Sequence, residues 1–453
     1  MPIEHPPPSK PSVALKPRAK WGYMGLLAGV AAAAWYIAVR PNNPKVLISP
    51  SGSAIASKLT TEAYVWKRQW TPSLPQVVGE MGPHLDSIVV LAAEIDRWPT
   101  KTQPAEIVRP NIHWSALLSF PGRVGLAVRA PSHLQSGKNS EARLLCLQTV
   151  VNAVLLDASA HDVTVSELQI DFDCPQSGLS GYANWLENLR PSLNQDTDLT
   201  ITALPSWLDE SAWQDVVAMT DSFVLQVHSV DIGTANAAPV LCDADRSLRW
   251  AKKANQAGVP FRVALPTYNS AAGFSEKGDL MGIVSDGPIP NWPPGTSVRF
   301  FRSEPSEMAT LNLALRQLAL AHLTGIIWYR LGDQTEGRNW TSATLTKVIQ
   351  AREPESKPDV VFRMGEIIDL ELDYSATLPG RLPPSILIRW NEAAHLIAGD
   401  GIGGYRFHVD GQTACFQLNE DLLQSSAVQE GRRNFGWLRF SIPNPKIHVE
   451  VRD

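Results

Sequence analysis

The sequence predicts an α/β protein built around a (β/α)8 barrel, or TIM barrel, with an N-terminal transmembrane helix and a C-terminal β-sandwich. Three observations support this fold class. Residues 21–39 carry no charge, apolar runs alternate with amphipathic stretches over residues 60–352, and short strands separated by Gly and Pro fill residues 353–453. At about 150 residues per domain, a chain of 453 residues has room for one large barrel and a smaller domain.

The composition excludes several classes of protein and partner. The chain is 44% hydrophobic and 19% charged, which is typical of a globular protein rather than of a collagen, a coiled coil or a disordered chain. A net charge of -5 argues against a nucleic-acid partner held by bulk charge. The four cysteines form no C-x-x-C pair, and H-E-x-x-H, P-loop and G-x-S-x-G motifs are absent. We therefore predict neither a metal nor another cofactor.

The first residues predict a membrane anchor. Residues 1–20 form a basic tail, and the 19 residues Trp21–Val39 are just long enough to cross a hydrocarbon core of roughly 30 Å. Because basic residues mark the cytoplasmic side, we expect a single-pass inner-membrane protein whose remaining domains face the periplasm. Residues 40–59 predict a flexible linker. The alternative is secretion after cleavage, since the basic tail, the apolar stretch and Ala31–Ala34 also resemble a signal peptide.

Eight short apolar runs predict the barrel strands within residues 60–352. They are Ala63–Trp70, Ser87–Ile95, Val124–Ala130, Glu167–Asp173, Leu199–Leu204, Ser222–His228, Pro260–Pro266 and Gly325–Tyr329. Amphipathic stretches lie between several of them. In residues 142–157, apolar side chains recur at the spacing of one helix face, at Leu144, Leu147, Val151 and Leu155. Strands and helices that alternate over this length match a closed parallel barrel.

An open doubly wound sheet is the alternative fold. Such a sheet has a G-x-G-x-x-G turn after its first strand. The match in this chain, Gly399–Gly404, lies far downstream and opens no helix pattern, so we predict a loop there.

The residues after the charged linker Glu353–Lys357 predict a second domain. Apolar and polar residues alternate over short runs, such as Ser385–Trp390, Tyr405–Val409 and Ile447–Val451. This texture is typical of a small antiparallel sandwich, which we assign to residues 353–453.

The fourth predicted strand carries the clearest chemical signal. Its apolar face holds Leu168, Ile170 and Phe172, and its polar face holds Glu167, Gln169, Asp171 and Asp173. If the apolar face packs against the helices, Asp171 and Asp173 point into the barrel. When two carboxylates lie close together, the charge of one raises the pKa of the other, and catalysis near neutral pH requires an acid with such a raised pKa. The structural alternative is a carboxylate pair that is neutralised by a nearby Arg or caps a loop amide.

Several strands resemble a bacterial family, the DUF3142 proteins. The resemblance rests on Leu168–Asp173, Leu199–Trp207, Gln226–His228 and Gly325–Tyr329, and it covers most of the predicted barrel. That family has no assigned activity. It is similar to the TIM-barrel glycoside hydrolases, above all to the chitinase-like family 18, whose fourth strand ends in D-x-x-D-x-D-x-E. The resemblance implies a TIM barrel that acts on a polysaccharide or other glycan.

Two registers place that motif on this chain. If Asp171 and Asp173 match the last two Asp, Pro175 takes the position of the catalytic Glu. If Gln169 and Asp171 match them, Asp173 takes it, and we adopt this register because it leaves a titratable group at the strand tip. The chain then carries Asp in place of Glu and Gln in place of one Asp. His228 takes the position of a family 18 tyrosine on strand six.

Other residues at predicted strand ends complete the candidate site. The candidate catalytic residues are Asp173, Asp171 and Glu94, and the candidate substrate-binding residues are Gln169, Arg129, Trp207, Gln226, His228, Tyr268, Trp328 and Tyr329. His228 is alternatively a hydrogen-bonded core histidine. Trp207 and Trp328 are alternatively packing residues rather than platforms for the apolar face of a sugar.

We expect these residues to hydrolyse a glycosidic bond. Asp173 would be the general acid, Asp171 would hold or tune it, and Glu94 or the substrate itself would act as base or nucleophile. The rival function is a barrel without catalysis that binds a glycan or an envelope partner. A glycosyltransferase is a weaker alternative, because Asp243–Asp245 fits a D-x-D motif but no nucleotide-binding sheet opens the chain.

Two cysteines predict a disulfide. Cys174 and Cys242 each follow a predicted barrel strand on the same rim, and an exported protein meets an oxidising compartment.

Overall fold

The computed structural model describes residues 59–131, 140–229, 240–285, 290–333, 338–350, 358–374, 382–419, 432–443 and 445–452. The predicted membrane segment Trp21–Val39 and residues 40–58 of the predicted linker lie outside these ranges.

Eight parallel strands form a closed barrel. In chain order, and here called barrel strands one to eight, they are Thr60–Val65, Ser87–Arg97, Arg123–Ala130, Glu167–Phe172, Asp198–Ala203, Ser222–Gln226, Phe261–Pro266 and Leu323–Tyr329. Each strand pairs with the next, and strand eight pairs with strand one, so the sheet closes on itself. The predicted barrel is confirmed, although its first strand begins at Thr60 and ends at Val65, earlier than predicted.

One helix follows each barrel strand. The helices are Leu74–Met81, Trp114–Leu118, Ser140–Ala160, Leu179–Leu189, Trp213–Ala218, Ala244–Ala254, Pro305–Gln317 and Ser342–Gln350. The long helix Ser140–Ala160 buries Leu147, Val151 and Val154, close to the face that the sequence spacing predicts. Its length and composition would also allow it to span a membrane, but these side chains belong to the core between strands and helices.

Alternation along the strands separates the barrel lumen from the outer layer. Leu168, Ile170 and Phe172 are fully buried in the core between the strands and the helices. Side chains at alternate positions fill the lumen, where Tyr64, Trp66, Val89, Leu91, Ala127, Val224, Ala264 and Ile327 form a separate cluster. The polar face of strand four therefore lies inside the barrel, as the sequence predicts.

A buried ion triad closes the amino-terminal end of the lumen. Arg262 on strand seven donates to Glu167 Oε2 over 2.7 Å and also to Glu62 on strand one. Their side chains are 5%, 10% and 1% exposed for Arg262, Glu167 and Glu62. Gly125 on strand three leaves room for this triad, because a Cβ atom there would lie 2.5 Å from Glu167 Cγ.

Short antiparallel strands lie at the carboxyl end of the barrel. Glu106–Val108 pairs with the extended end of strand two. Between strand seven and its helix, Ser270–Phe274, Leu280–Val284 and Ser297–Phe301 form a three-stranded sheet. These strands are not among the elements predicted from the sequence.

The C-terminal residues form two four-stranded antiparallel sheets. The first contains Asp359–Arg363, Ile368–Asp373, Leu396–Gly401 and Arg432–Phe440, and the second contains Ser385–Trp390, Tyr405–Asp410, Thr413–Leu418 and Ile447–Arg452. One hydrophobic core joins the two sheets, as expected for the predicted sandwich. The glycines Gly399–Gly404 lie on a strand and the turn after it rather than in the predicted loop. A groove of about 480 Å³ is lined by Trp390, His395, Ile397, Phe407 and Gln412 among others.

The predicted disulfide is wrong. Cys174 and Cys242 are both free in the structure. Cys174 Sγ lies 3.3 Å from the carbonyl oxygen of Pro175, and Cys242 Sγ lies 3.5 Å from Ser247 Oγ. Each sulfur therefore has a local polar neighbour. Burial raises the pKa of the Cys174 thiol to about 12 and that of the Cys242 thiol to about 11.

Candidate functional site

Strands two, three and four bring three charged side chains into one row at the carboxyl end of the barrel. Glu94 pairs in register with Arg129, and Arg129 pairs with Asp171. Asp173 follows strand four by one residue, at the position where active sites of such barrels lie. The structure thus brings the candidate catalytic residues and Arg129 onto neighbouring strand ends.

Asp171 is held on both of its carboxylate oxygens. Thr202 on strand five donates to Oδ1 over 2.6 Å, and Arg129 Nε lies 3.8 Å from Oδ2. Burial disfavours the charge of Arg129, but Asp171, Tyr329, Asp173 and Glu94 together outweigh it and raise the pKa of the guanidinium. Arg129 is therefore a permanent cation at the tips of strands three and four.

Asp173 is a weaker acid than an ordinary aspartate. Burial, and next the negative charge of Asp171, raise the pKa of Asp173 to about 6, and Arg129 opposes this rise. Asp173 is partly exposed, so solvent and small molecules reach it. The pair therefore combines a hydrogen-bonded carboxylate with a neighbour that carries a proton in mildly acidic solution.

Glu94 has a strong partner of its own. Arg68, which follows strand one, donates to Glu94 Oε2 over 2.7 Å and lies 3.4 Å from Asp96 Oδ1. The side chain of Glu94 is only 14% exposed. Arg68 therefore fixes the position of Glu94 through Oε2.

Gln169 lies one step deeper in the lumen and is fully buried. Its Nε2 atom donates to Tyr64 Oη on strand one over 2.6 Å, while Oε1 has no hydrogen-bond partner among the described residues. Burial raises the pKa of Tyr64 well above its usual range, so this phenol stays neutral. An unsatisfied buried oxygen normally finds a water or a ligand.

His228, Tyr268 and Tyr329 form an aromatic wall on the opposite side of the lumen. The His228 ring stacks on Tyr329 with centroids 5.3 Å apart, and His228 Nδ1 lies 3.3 Å from Tyr268 Oη. Burial lowers the pKa of His228 to about 3, so the ring is neutral near pH 7. Its Nε2 atom has no partner within the described part of the chain. Gln226 Nε2 donates to the carbonyl oxygen of His228 over 3.3 Å.

The structure does not bring Trp207 and Trp328 into this site. They are 1% and 0% exposed and belong to the core between the strands and the helices. Trp207 Nε1 donates to the carbonyl oxygen of Cys174 over 3.0 Å, and Trp328 packs against Trp340. Trp328 faces outward because it is one residue out of phase with the inward-facing Tyr329. Both tryptophans are therefore packing residues, which was the alternative to a role as sugar platforms.

Sequence analysis missed three residues of the site. Thr202 holds Asp171, Tyr64 holds Gln169, and Arg68 holds Glu94. Thr202 carried a signal, since it alternates with apolar residues on strand five and lies near the same level as Asp171. Arg68 lies in a bend after strand one, and no local sequence pattern predicts that bend.

The described residues contain no group of three or more His, Cys, Asp or Glu side chains arranged to hold a metal ion. Independently of this, the Asp173 carboxyl group, whose pKa is raised to about 6, is able to transfer a proton near neutral pH.

This chain is similar to one protein family and to several solved structures. Residues 135–334 match the model of a family described as "Domain of unknown function (DUF3142)", and the resemblance predicted from the strand sequences is confirmed. No curated protein matches the sequence. The spore cortex-lytic enzyme SleL of Bacillus cereus is 14% identical, with a TM-score of 0.44 over 64% of this chain and 74% of that chain.

Two chitinases give similar values. A chitinase from Chromobacterium violaceum is 15% identical, with a TM-score of 0.42 over 65% of this chain and 100% of that chain. The chitinase RmChi1 of Rhizomucor miehei is 14% identical, with a TM-score of 0.43 over 64% of this chain and 99% of that chain.

Proposed function

We propose that this chain, whose residues 135–334 match the DUF3142 model, is a glycoside hydrolase of the cell envelope that cleaves a polysaccharide. The observation that carries the proposal is the pair at the tip of strand four. Asp171 is fixed by Thr202 and Arg129, and next to it Asp173 has a pKa raised to about 6. Glycoside hydrolysis requires such an acid, which protonates the departing oxygen.

The reaction assigns a role to each of these groups. Asp173 gives its proton to the glycosidic oxygen as the bond to the anomeric carbon breaks. The Asp171 carboxylate, beside the sugar ring, stabilises the positive charge that develops there. The anomeric carbon then bonds either to a water that a base deprotonates or to a nucleophile that water later displaces, and the candidates for that base or nucleophile are Glu94 and a group of the substrate itself.

The pairing of Glu94 with Arg68 decides between these candidates in part. A carboxylate bonded over 2.7 Å to a guanidinium is a poor nucleophile, so we favour a group of the substrate. Glu94→Gln then retains most of the activity. A loss of about 10³-fold or more would instead assign the second role to Glu94.

The same pairing supports the second candidate function, a barrel that binds a glycan without cleaving it. If the ion pair between Arg68 and Glu94 never opens and the substrate carries no suitable group, the carboxyl end of the barrel lacks a second reacting group. The barrel would then hold the glycan by hydrogen bonds to the buried polar atoms of Gln169 and His228.

One experiment separates the two functions. The purified full chain is tested for binding on a glycan array and for release of reducing ends from the glycans that bind. Asp173→Asn keeps the size of the side chain and removes the proton donor, so we expect it to bind like the wild type but to lose about 10² to 10⁴ in rate. Asp196→Asn is the matched control, because Asp196 is exposed in the turn before strand five, away from the site. Binding without turnover in the wild type would favour the binding function.

The cellular location is part of the proposal. Residues 1–20 would remain in the cytoplasm, residues 21–39 would span the inner membrane, and residues 40–59 would link them to domains in the periplasm. The test compares membrane and soluble fractions for the full chain and for a chain that lacks residues 1–53. We expect the full chain to sediment with the membrane and the shortened chain to be soluble. A full chain found only in the periplasmic fluid would instead indicate signal cleavage.

A further inference from the structure

The backbone pairing of strand four ends before the residue that carries the proposed acid. On the side of strand five, the last partners are Ile170 and Ile201. On the side of strand three, the pairing continues to Phe172. Asp173 therefore lies beyond the backbone pairing with both neighbouring strands, and other contacts hold it in place.

Asp173 is the central residue of a tight turn. The Cys174 N–H donates to the carbonyl oxygen of Phe172 over 2.7 Å, which is the hydrogen bond of a three-residue turn. In such a turn, the direction of the central side chain depends on the two flanking peptide groups. The orientation of the Cys174 backbone therefore helps to set where the Asp173 carboxyl group lies.

Trp207 holds this turn from the neighbouring loop. It ends the short 3₁₀ helix Pro205–Trp207 after strand five and is 1% exposed. Its Nε1 atom donates to the carbonyl oxygen of Cys174 over 3.0 Å. The indole ring packs against Tyr182 and Trp213, whose ring centroids lie 6.1 Å and 6.0 Å from its own. Because this hydrogen bond is buried, its loss would leave the Cys174 carbonyl group unsatisfied.

A second side-chain hydrogen bond joins the two loops in the opposite direction. Gln176 Nε2 donates to the carbonyl oxygen of Ser206 over 3.0 Å and to Glu210 Oε1 over 2.7 Å. Gln176 is exposed, so water can replace these bonds, whereas water does not reach the bond of Trp207. Trp207 is therefore the stronger of the two ties.

We propose that Trp207 is a positioning residue, whose indole N–H fixes the Cys174 carbonyl group and so sets the place of the Asp173 carboxyl group. Trp207 does not contact the substrate, because it acts from the core through the backbone of the turn. The inference rests on the proposed function, in which Asp173 is the acid.

The titration of Asp173 detects a change in this place without any substrate. Burial is the largest cause of the raised pKa of Asp173, Asp171 adds to the rise, and Arg129 opposes it. Tyr182, on the helix after strand four, also interacts with Asp173, and burial raises the pKa of this phenol well above its usual range. If the turn loosens, water reaches the Asp173 carboxyl group, and its pKa falls toward the ordinary value of 3.8.

The experiment compares the Asp173 titration in the wild type and in Trp207→Phe. The purified full chain is labelled with ¹³C at the aspartate carboxyl carbons, and the Asp173 signal is identified by its loss in Asp173→Asn. In the wild type we expect a midpoint at about 6. Trp207→Phe keeps an aromatic ring and removes the N–H donor, so we expect its midpoint to fall by about 0.5 to 1.5 units. In an active protein, kcat should also fall by about 10- to 100-fold while KM changes less than about 3-fold, since the acid is displaced and the bound sugar is not.

Trp185→Phe is the matched control. Trp185 is 2% exposed and packs against Phe172 with ring centroids 5.5 Å apart, but its Nε1 atom donates to Ser140 Oγ rather than to the turn. This variant also loses an indole hydrogen bond, yet its Asp173 midpoint and kcat should stay at the wild-type values. If Trp207→Phe does not fold, a tryptophan analogue with sulfur in place of the indole N–H is incorporated instead, because it keeps the shape of the ring and removes only the donor.

The outcomes separate this inference from the proposed function. An unchanged or raised Asp173 midpoint in Trp207→Phe or in the sulfur analogue, or an equal fall in Trp185→Phe, would overturn the inference whether or not the protein cleaves a glycan. Conversely, the expected midpoints in a protein with no hydrolytic activity would support the role of Trp207 while the proposed hydrolase function fails.

Discussion

Replacing Asp173 by Asn should make the protein more stable in alkaline solution. The folded state raises the pKa of Asp173 from 3.8 to about 6, so the native protein holds this proton more tightly than the unfolded chain does. A carboxyl group of this kind costs stability above pH 6, where the folded protein must ionise it in an unfavourable place. The cost fades as the pH falls from about 6 to below about 4, because both states are protonated only at the lower end of that range.

The pKa shift sets the size of the effect. A rise of about two units corresponds to at most about 3 kcal/mol at pH 8, at roughly 1.4 kcal/mol per unit. Asp173 is partly exposed and interacts with Asp171, so we expect about 1 to 3 kcal/mol for Asp173→Asn. For a domain of this size that is a rise in Tm of roughly 2 to 8 °C.

Differential scanning calorimetry at two pH values measures this effect. At pH 8 Asp173→Asn should melt above the wild type, and at pH 4.5 the difference in stability should shrink to roughly one third of its value at pH 8. Asp196→Asn, on the exposed turn before strand five, should match the wild type at both values. A lower Tm for Asp173→Asn at pH 8 would show that the carboxylate stabilises the fold, for example through Arg129, and would contradict this prediction.

Two further predictions concern the floor of the barrel. Arg262→Met leaves Glu62 and Glu167 buried without their cation, and we expect a loss of about 3 to 5 kcal/mol in the free energy of unfolding, measured by urea denaturation; a loss below about 1 kcal/mol would show that solvent reaches the triad. Gly125→Ala places a Cβ atom 2.5 Å from Glu167 Cγ and should lower the free energy of unfolding by about 1 to 3 kcal/mol. In the control variant Gly79→Ala, the new Cβ atom meets nothing within 4 Å, so we expect no loss of stability. Equal losses for the two variants would contradict the close packing at Gly125.

Much of the barrel was predictable because each strand is a short apolar run. Strand four also revealed its two faces, since Leu168, Ile170 and Phe172 alternate with polar residues and the structure buries them against the helices. The three-stranded sheet after strand seven was not predictable in the same way. Its central strand, Ser270–Phe274, consists mainly of small residues, which carry little β-propensity or periodicity.

The candidate site was predictable only where polarity stands out on a strand. Asp171 and Asp173 interrupt an apolar pattern, so they were visible, but the contact of Arg129 with Asp171 depends on the register between two strands. The tryptophans were misleading for a related reason. Trp207 and Trp328 were considered because of their residue type, whereas the strand phase of Trp328 and the packing of Trp207 decide that both are buried.

The most direct test of the proposed function is a crystal structure of the full-chain Asp173→Asn variant with a glycan that the array identifies. We predict that a glycosidic oxygen lies about 2.6 to 3.2 Å from the side chain of residue 173, with the sugar ring beside Asp171. A glycan bound only in the groove of the C-terminal sheets, with none at the tip of strand four, would contradict it.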